Sequence, residues 1–255
     1  MSRRVRLGLF LVAGGGLLAV LLIGMYGLPK FGHLQAAYGL LLDRIEPHLR
    51  RATDIVTALN FDIRAFDTLG EEFILFASVT GVAVLLRQLR NEDDDIDRSR
   101  GIEDHSFAGA SPALRLTSLI LIPLMVALGC YVVLHGALTP GGGFQGGVVL
   151  AAGPLAILLA GRYLALRRVA PEWALEMFEA IGAVAYVMIG LGGLIFASVF
   201  LKNFLPLGSP GKLLSAGMMP LNSIAVGLEV AGGFLLIWTE FLDQDLLVAS
   251  RAGES

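Results

Sequence analysis

Carboxylates inside or beside long apolar runs are the residues of this chain best suited to chemistry. Glu229 lies in the middle of the apolar stretch 220–242. A charged side chain at the centre of a bilayer costs about 2.5–3.5 kcal/mol, so it usually faces a partner, a wet cavity or an ion path. Two interpretations stay open for Glu229: a relay for ions or protons, or a structural polar contact with a neighbouring protein.

A second group of acids, Asp67, Glu71 and Glu72, lies where the apolar run 73–86 begins. Thr68 and Glu71 have the spacing of a capping box, which predicts that a helix starts at Thr68. Acids in a first turn complement the helix dipole, by about 0.3–1 kcal/mol each. The three acids are therefore either helix-capping residues or the entry of a cation or proton path.

Two further titratable residues stand at the ends of apolar runs. His135 follows the run 114–134 and could take part in proton transfer or hydrogen-bond at the membrane interface. Glu179 lies one turn inside the run 175–201, with a structural or a functional role open. The remaining histidines and the single cysteine, Cys130, show no metal-ligand spacing. No nucleophile–base pair or cofactor motif occurs, so the sequence predicts neither an enzyme nor a metal or cofactor site.

The composition sets the environment of these residues. The chain has 255 residues, of which 55% are hydrophobic and 16% charged, and its mean hydropathy is +0.73. Soluble domains carry about 25% charged residues. The sequence is that of an integral membrane protein, and its net charge of −3 gives no sign of a nucleic-acid partner.

The apolar runs predict an all-α, polytopic membrane fold with about six transmembrane helices plus an amphipathic interfacial helix at 33–51. The stretch 52–61 is too short to span alone and is predicted to be interfacial or re-entrant. Most Lys and Arg residues near the spans fall on the side that carries both termini, which predicts cytoplasmic termini. The predicted spans are residues 7–28, 69–86, 114–134, 146–164, 175–201 and 220–242.

A glycine-rich loop, TPGGGFQGG at 139–147, joins the third and fourth predicted spans. Irregular backbone at membrane depth is tolerated only inside protein or along a wet cavity. We therefore expect this loop to pack against partners rather than face lipid. The predicted close-packing residues of the loop and of the last span are Gly141, Gly142, Gly143, Phe144, Gly146, Gly147, Gly232 and Gly233.

The polar segment NEDDDIDRSRGIEDHSFAGAS, residues 91–111, is the most natural boundary in the chain. It predicts a membrane module at 1–90, an acidic linker at 91–111, a four-helix membrane domain at 112–245 and a polar tail at 246–255.

Three stretches resemble subunits of a known family of complexes. HGALTPGGGFQGGVVLA (135–151) resembles the signature of the B subunit of Mrp-type multisubunit sodium/proton antiporters, the MnhB domain, and 219–240 is similar to the last span of that family. FDIRAFDTLGEEFILFASVTGVAVLLR (61–87) resembles the C-terminal extension of the large Mrp A subunit, and the separate small E subunit of hydrogenase-type complexes. The chain thus looks like a fusion of the A-type piece and the B-type domain, joined at the acidic linker.

The resemblance implies an accessory membrane subunit of a multisubunit Na+/H+ antiporter, which contributes helices and carboxylates to the ion pathway and the assembly. The implied partners are the complex-I-like large A and D subunits, the small C subunit and other Mrp-type subunits, in the inner or plasma membrane of a prokaryote. Two alternatives stay open. The chain could be a membrane-arm component of an energy-converting hydrogenase-type oxidoreductase, or a purely structural assembly subunit.

Overall fold

The structure, a computed structural model, describes residues 3–28, 37–87, 111–160 and 163–253, and all the regular secondary structure in these ranges is helical. This confirms the predicted all-α class. The acidic linker falls almost wholly outside the described residues. The helices are α1 (Arg3–Tyr26), α2 (Ala37–Leu49), α3 (Ile55–Ala58), a π-helical turn (Leu59–Ile63), α4 (Ala65–Arg87), α5 (Pro112–Leu134), α6 (Gly143–Leu159), α7 (Tyr163–Val169), α8 (Glu172–Ala197) and α9 (Met219–Gly253).

Five of these helices, α1, α4, α5, α8 and α9, are long and apolar enough to cross a bilayer. The sixth predicted span is the shorter α6, whose 17 residues cover about 26 Å at about 1.5 Å per residue. Its start at Gly143 is three residues earlier than the sequence predicted. The predicted multi-pass membrane fold is confirmed. Of the predicted interfacial helix 33–51, residues 37–49 form α2, and 33–36 lie outside the described residues.

The chain divides into two compact units, Met1–Leu41 and Leu42–Ser255. The first unit holds α1, and none of the residues in its most apolar window is buried. The second unit holds the spans α4, α5, α6, α8 and α9 and, among the described residues, all the buried acids.

Within the second unit, α9 is the central helix and packs against α4, α6 and α8, with a smaller contact to α5. In its most apolar window 61% of the residues are buried, against 17–22% in α4, α5 and α8. Because its neighbours cover it on several sides, a polar group on one of the covered faces of α9 is shielded from lipid.

Glycines set the distance between α8 and α9. A Cβ added at Gly182 of α8 would lie 2.5 Å from the backbone nitrogen of Glu229. One added at Gly232 of α9 would lie 2.7 Å from the backbone nitrogen of Glu179. Contacts this short to main-chain atoms exclude any larger residue at an unchanged spacing, so the two glycines bring the backbones beside both acids together.

The glycines at the start of α6 pack in the same way against helices of this chain. A Cβ at Gly143 would lie 2.3 Å from the carbonyl oxygen of Ser223, and one at Gly147 would lie 2.9 Å from that of Gly227, both on α9. On the other side of α6, a Cβ at Gly146 would lie 2.8 Å from the nitrogen of Val133 on α5.

Aromatic and small side chains complete these helix contacts. Phe144 is partly exposed and meets Phe234 of α9 edge-to-face at 6.1 Å between ring centroids. Gly233 faces Val79 of α4, whose side chain would lie 3.0 Å from a Cβ added at the glycine. The close contacts of all these predicted packing residues are within the chain, and a role against other proteins of a complex stays a prediction.

Ala137, two residues before the glycine-rich loop, is joined to the segment before α3. Gly141 and Gly142 have φ of +147° and +121°, a region that favours glycine. The carbonyl of Ala137 accepts hydrogen bonds from the backbone nitrogens of Thr53, at 3.1 Å, and Asp54, at 3.3 Å. The backbone just before the loop is thereby held against the chain's own N-terminal half, and packing of the loop against other subunits stays a prediction.

The capping-box prediction for Thr68 is wrong. The helix α4 begins at Ala65, so Thr68 lies within it and Glu71 and Glu72 fall in its second turn. The π-helical turn runs almost directly into α4, and the Thr68 hydroxyl donates back to the carbonyl of Asn60 at 2.8 Å. A side chain that bonds to the preceding turn cannot cap the helix, and Asp67 alone of the three acids lies in the first turn.

Candidate functional site

Four carboxylates are buried in the described membrane helices, and three of them lie together: Glu72 on α4, Glu179 on α8 and Glu229 on α9. The exposed fractions of these three are 4%, 6% and 0%. The fourth, Glu240, lies about three turns farther along α9 and is 7% exposed. The packing that covers α9 positions the three, because α4 and α8 both contact it. Glu179 and Glu229 are brought together by the glycine-mediated crossing of α8 and α9.

Glu72 and Glu229 form a pair. Their carboxyl groups lie within hydrogen-bonding reach of each other. Neither oxygen of Glu229, nor Oε2 of Glu72, has a protein hydrogen-bond donor. Because two ionised carboxylates only accept, the pair can hydrogen-bond only when one of the two carries a proton.

Glu179 lies beside this pair. It is close enough to act electrostatically on Glu229, and its Oε1 lies 3.6 Å from the position of a Cβ added at Gly233. That oxygen also lacks a hydrogen-bond partner. Three acids without a basic partner among them form an arrangement suited to protons or cations.

The other predicted site residues lie elsewhere. Asp67 is exposed and accepts a hydrogen bond from Arg64 at 2.6 Å, and Glu71 is exposed as well. His135 is half-buried and stacks on Tyr131, with ring centroids 4.1 Å apart. Its Nδ1 lies 3.2 Å from the Tyr131 carbonyl oxygen. The structure therefore brings together Glu72, Glu179 and Glu229 and leaves the other three apart.

Two uncharged polar residues near the acids were not predicted from the sequence. Tyr186 and Asn222 are fully buried, and the Tyr186 hydroxyl donates to the Ala65 carbonyl at 3.0 Å. Asn222 precedes Glu229 by two helical turns, so the spacing of seven residues was a usable signal. An aromatic residue in an apolar run gives no such signal.

A second acidic group, outside the spans, joins α2 to the π-helical turn. Arg50 forms a salt bridge with Asp62, and Glu46 is buried nearby with its Oε2 unpartnered. Burial raises the pKa of both carboxyls, and the Arg50 guanidinium opposes that rise in each. Among the described residues no three His, Cys, Asp or Glu side chains meet as they would around a bound metal ion.

Comparisons with known proteins identify relatives of the C-terminal half and of nearly the whole chain. Residues 113–236 match the family described as a domain related to the MnhB subunit of Na+/H+ antiporter. An uncharacterised protein of Methanocaldococcus jannaschii is 34% identical over 200 residues, covering 70% of this chain and 72% of that protein. A probable K+/H+ antiporter A/B subunit of Rhizobium meliloti is 29% identical over 189 residues, covering 67% of this chain and 18% of that protein.

Two solved structures share the fold. One chain of the membrane-bound sulfane sulfur reductase, an archaeal respiratory membrane complex, has a TM-score of 0.67 and 28% identity. The match covers 95% of this chain and 99% of that one. A chain of the Mrp complex from a Dietzia species has a TM-score of 0.66 and 24% identity, over 94% of this chain and 26% of that one.

Proposed function

The chain belongs to the family of domains related to the MnhB subunit of Na+/H+ antiporter, and on that premise we propose that it is an accessory membrane subunit of a multisubunit monovalent cation/proton antiporter. In that complex it supplies helices to the assembly and carboxyl groups to the ion pathway, and it carries out no catalysis on its own. The buried pair of Glu72 and Glu229 is the observation that carries the proposal.

The pair has the chemistry that cation/proton exchange requires. Two negative charges repel strongly in a low-dielectric interior. One proton held between the carboxyl groups, or one cation beside them, relieves that repulsion. A site that accepts either, but not both at once, exchanges one for the other. Glu179 adds a third charge that strengthens the demand for a positive ion.

Large apolar surfaces leave room for partners. Exposed side chains such as Phe73, Ile195 and Phe196 lie on the outer faces of α4 and α8. We propose that the bilayer and other Mrp-type subunits cover these faces, including the complex-I-like large A and D subunits and the small C subunit.

The chain joins two modules in this proposal, a module like the extension of the A subunit at 1–90 and the B-like domain at 112–245, separated by the acidic linker at 91–111. Support comes from the relative whose name describes it as an A/B subunit. Its match covers 67% of this chain, which is more than residues 113–236, so it extends beyond the B-like domain. A single chain of the respiratory complex matches 95% of this sequence, which gives similar support because both modules match within one chain. The carboxyl pair then has one member from each module.

Location and orientation follow from the membrane helices. The chain is a multi-pass membrane protein, and we place it in the inner or plasma membrane of a prokaryote. Six crossings bring the two termini to the same side, which the bias of Lys and Arg assigns to the cytoplasm.

The proposal is tested by cation-driven proton flux in vesicles that contain the assembled complex. A positioned proton-transfer side chain contributes about 10²–10⁴-fold, so Glu229→Gln and Glu72→Gln are each expected to lower the flux by about 100-fold. Glu71→Gln is the matched control, because that neighbour on α4 is exposed. Normal flux through an intact Glu229→Gln complex would remove the pair from the ion path.

A second candidate is a membrane-arm component of a respiratory oxidoreductase. The specific observation in its favour is that this chain matches 99% of a chain from an archaeal respiratory membrane complex. Purification of the tagged chain from native membranes, followed by mass spectrometry of its partners, separates the two. Redox proteins among the partners would favour this candidate, and large antiporter subunits without them would favour the antiporter.

A further inference from the structure

Three uncharged polar side chains, Thr68, Tyr186 and Asn222, are buried together where the π-helical turn meets α8 and α9. Their exposed fractions are 5%, 0% and 0%. We refer to them as the seam cluster. Buried hydroxyl and amide groups in membrane helices usually make interhelical hydrogen bonds, so their partners indicate what the cluster does.

The seam cluster contacts the backbone of residues 60–65. Thr68 donates to the Asn60 carbonyl, Tyr186 to the Ala65 carbonyl and Asn222 Nδ2 to the Phe61 carbonyl, the last at 3.5 Å. The Tyr186 hydroxyl also lies near the Thr68 side chain. Asn222 Oδ1, in contrast, has no hydrogen-bond partner.

The cluster lies in line with the carboxyl pair. Thr68 precedes Glu72 by one turn of α4, and Asn222 precedes Glu229 by two turns of α9, so each lies on the same helix face as its acid. Tyr186 is close enough to Glu72 for an electrostatic interaction. Polar side chains therefore lead along the seam between α4 and α9 from the π-helical turn to the pair.

The outer end of this line is polar and open. Asn60 in the π-helical turn is exposed, and so are Arg64 and Asp67, which pair with each other just after it. Arg50 and Asp62 form their salt bridge at the same turn. Single π-helical turns occur often at functional sites, and irregular backbone at membrane depth is tolerated where it lines a water-filled cavity.

Buried oxygens without a hydrogen-bond partner, called orphans below, lie at the inner end of this line of polar side chains. A buried polar atom without a partner costs about 1–3 kcal/mol, and ordered water commonly removes that cost. Asn222 Oδ1, Glu72 Oε2 and both carboxyl oxygens of Glu229 are orphans of this kind. One proton shared by the two acids makes a single O–H···O bond and leaves Asn222 Oδ1 and one oxygen of Glu229 without a donor. Water molecules along the seam would satisfy all of these atoms.

We propose that Thr68, Tyr186 and Asn222 line a hydrated path that conducts protons from the π-helical turn to the Glu72–Glu229 pair. A proton enters from bulk water at the turn, passes between hydrogen-bonded waters and ends on a carboxylate oxygen of the pair, so that only O–H bonds form and break. The destination of the path rests on the proposed function, but its hydration does not.

Cysteine accessibility tests the hydration directly. In the assembled complex, with Cys130→Ala as background, Thr68→Cys and Asn222→Cys are treated with a small, membrane-impermeant thiol reagent. Ala156→Cys is the control, since Ala156 is equally buried, at 4%, on α6. The reagent reaches a thiol only through water, and the reactive thiolate forms only where water hydrates it. Both test positions are therefore expected to react at least about ten-fold faster than the control. Reaction at the control rate would overturn the path.

A second comparison needs no cysteine. Thr68→Val keeps the shape of the side chain and removes its hydroxyl, and Thr68→Ser keeps the hydroxyl. We expect Thr68→Val to lower proton flux by about ten-fold and Thr68→Ser to retain it, since the hydroxyl holds water in the seam. Equal flux in both variants would overturn the path.

The two proposals fail in distinguishable ways. Reactive cysteines together with normal flux in Glu229→Gln would support the hydrated path and refute the carboxyl pair as its destination. Unreactive cysteines together with lost flux in Glu229→Gln would refute the path and leave the proposed function supported.

Discussion

The substitution Gly182→Ala tests whether close contact between α8 and α9 holds the acids in place. An added Cβ would lie 2.5 Å from the Glu229 nitrogen, 2.6 Å from the Ala225 carbonyl oxygen and 2.7 Å from the Glu229 Cβ. Two of these three atoms belong to the main chain and the third is attached directly to it. No side-chain rotation can relieve the clash, so the helices themselves must separate.

The magnitude follows from these distances. Ordinary van der Waals contact begins at 3.4 Å, so the 2.5 Å approach requires a separation of about 1 Å. Overpacking of this kind typically costs about 1–3 kcal/mol. At about 2–4 °C per kcal/mol for a chain of this size, the melting temperature is expected to fall by roughly 2–12 °C. Flux should fall as well, because the separation moves Glu229 relative to Glu179.

Thermal unfolding of the purified complex in detergent, followed by the flux assay, measures both effects. Gly81→Ala is the matched control. It adds the same methyl group to α4, where nothing lies within 4 Å of the new atom. Alanine is favoured over glycine inside a helix by about 0.5–1 kcal/mol, so this variant should be neutral or slightly stabilised. Equal melting temperatures for Gly182→Ala and Gly81→Ala would refute the packing argument.

Three further predictions concern other parts of the chain. Gly143→Ala should destabilise the α6–α9 contact by about 1–3 kcal/mol, because the new Cβ would clash with the carbonyl oxygen of Ser223. A melting temperature equal to that of the wild type would contradict this. Burial raises the pKa of the Glu46 carboxyl above its ordinary value of 4.5. The wild-type protein is therefore destabilised by this residue as the pH rises above 4.5, because the buried carboxyl must then ionise. Glu46→Gln should therefore gain stability over the wild type at pH 7.5 but not at pH 4, and an equal difference in melting temperature at both pH values would exclude this cause. Asn203 accepts a hydrogen bond from the Met218 nitrogen at 3.1 Å and donates one to the Ala216 carbonyl at 2.9 Å. Asn203→Leu should therefore cost about 1–3 kcal/mol of stability and speed proteolysis of the loop before α9. An unchanged rate of proteolysis would argue against this role.

Much of the helical architecture could be predicted from the sequence, because long apolar runs determine membrane spans directly. The exceptions are local. The fourth span is shorter than predicted, and the start of α4 was misplaced because a capping-box spacing can also occur inside a helix that a π-helical turn precedes. The sequence gives no indication of that turn.

The candidate site was only partly predictable. A carboxylate in an apolar run stands out, which is why Glu229 and Glu179 could be singled out. Glu72 was grouped with Asp67 and Glu71 because the three are neighbours in sequence. Only the orientation of α4 against α9 determines that Glu72 is buried and the other two exposed, and one sequence does not contain that orientation.

Residues without charge were harder to predict. Tyr186 sits in an apolar run as an ordinary core residue would, and its hydrogen bond to Ala65 joins residues 121 positions apart. The glycines of 139–147 were expected to pack against partners, and that role stays a prediction. Their contacts with α5 and α9 depend on tertiary structure, so the sequence did not distinguish them from contacts with another protein of the complex.

The most direct test of the carboxyl pair is a double-mutant comparison of proton flux in vesicles that contain the intact complex. If Glu72 and Glu229 share one exchangeable ion, each single change to Gln removes the site, and the double variant is no slower than either single variant. Losses that multiply in the double variant, or normal flux in one of the single variants, would contradict the shared pair.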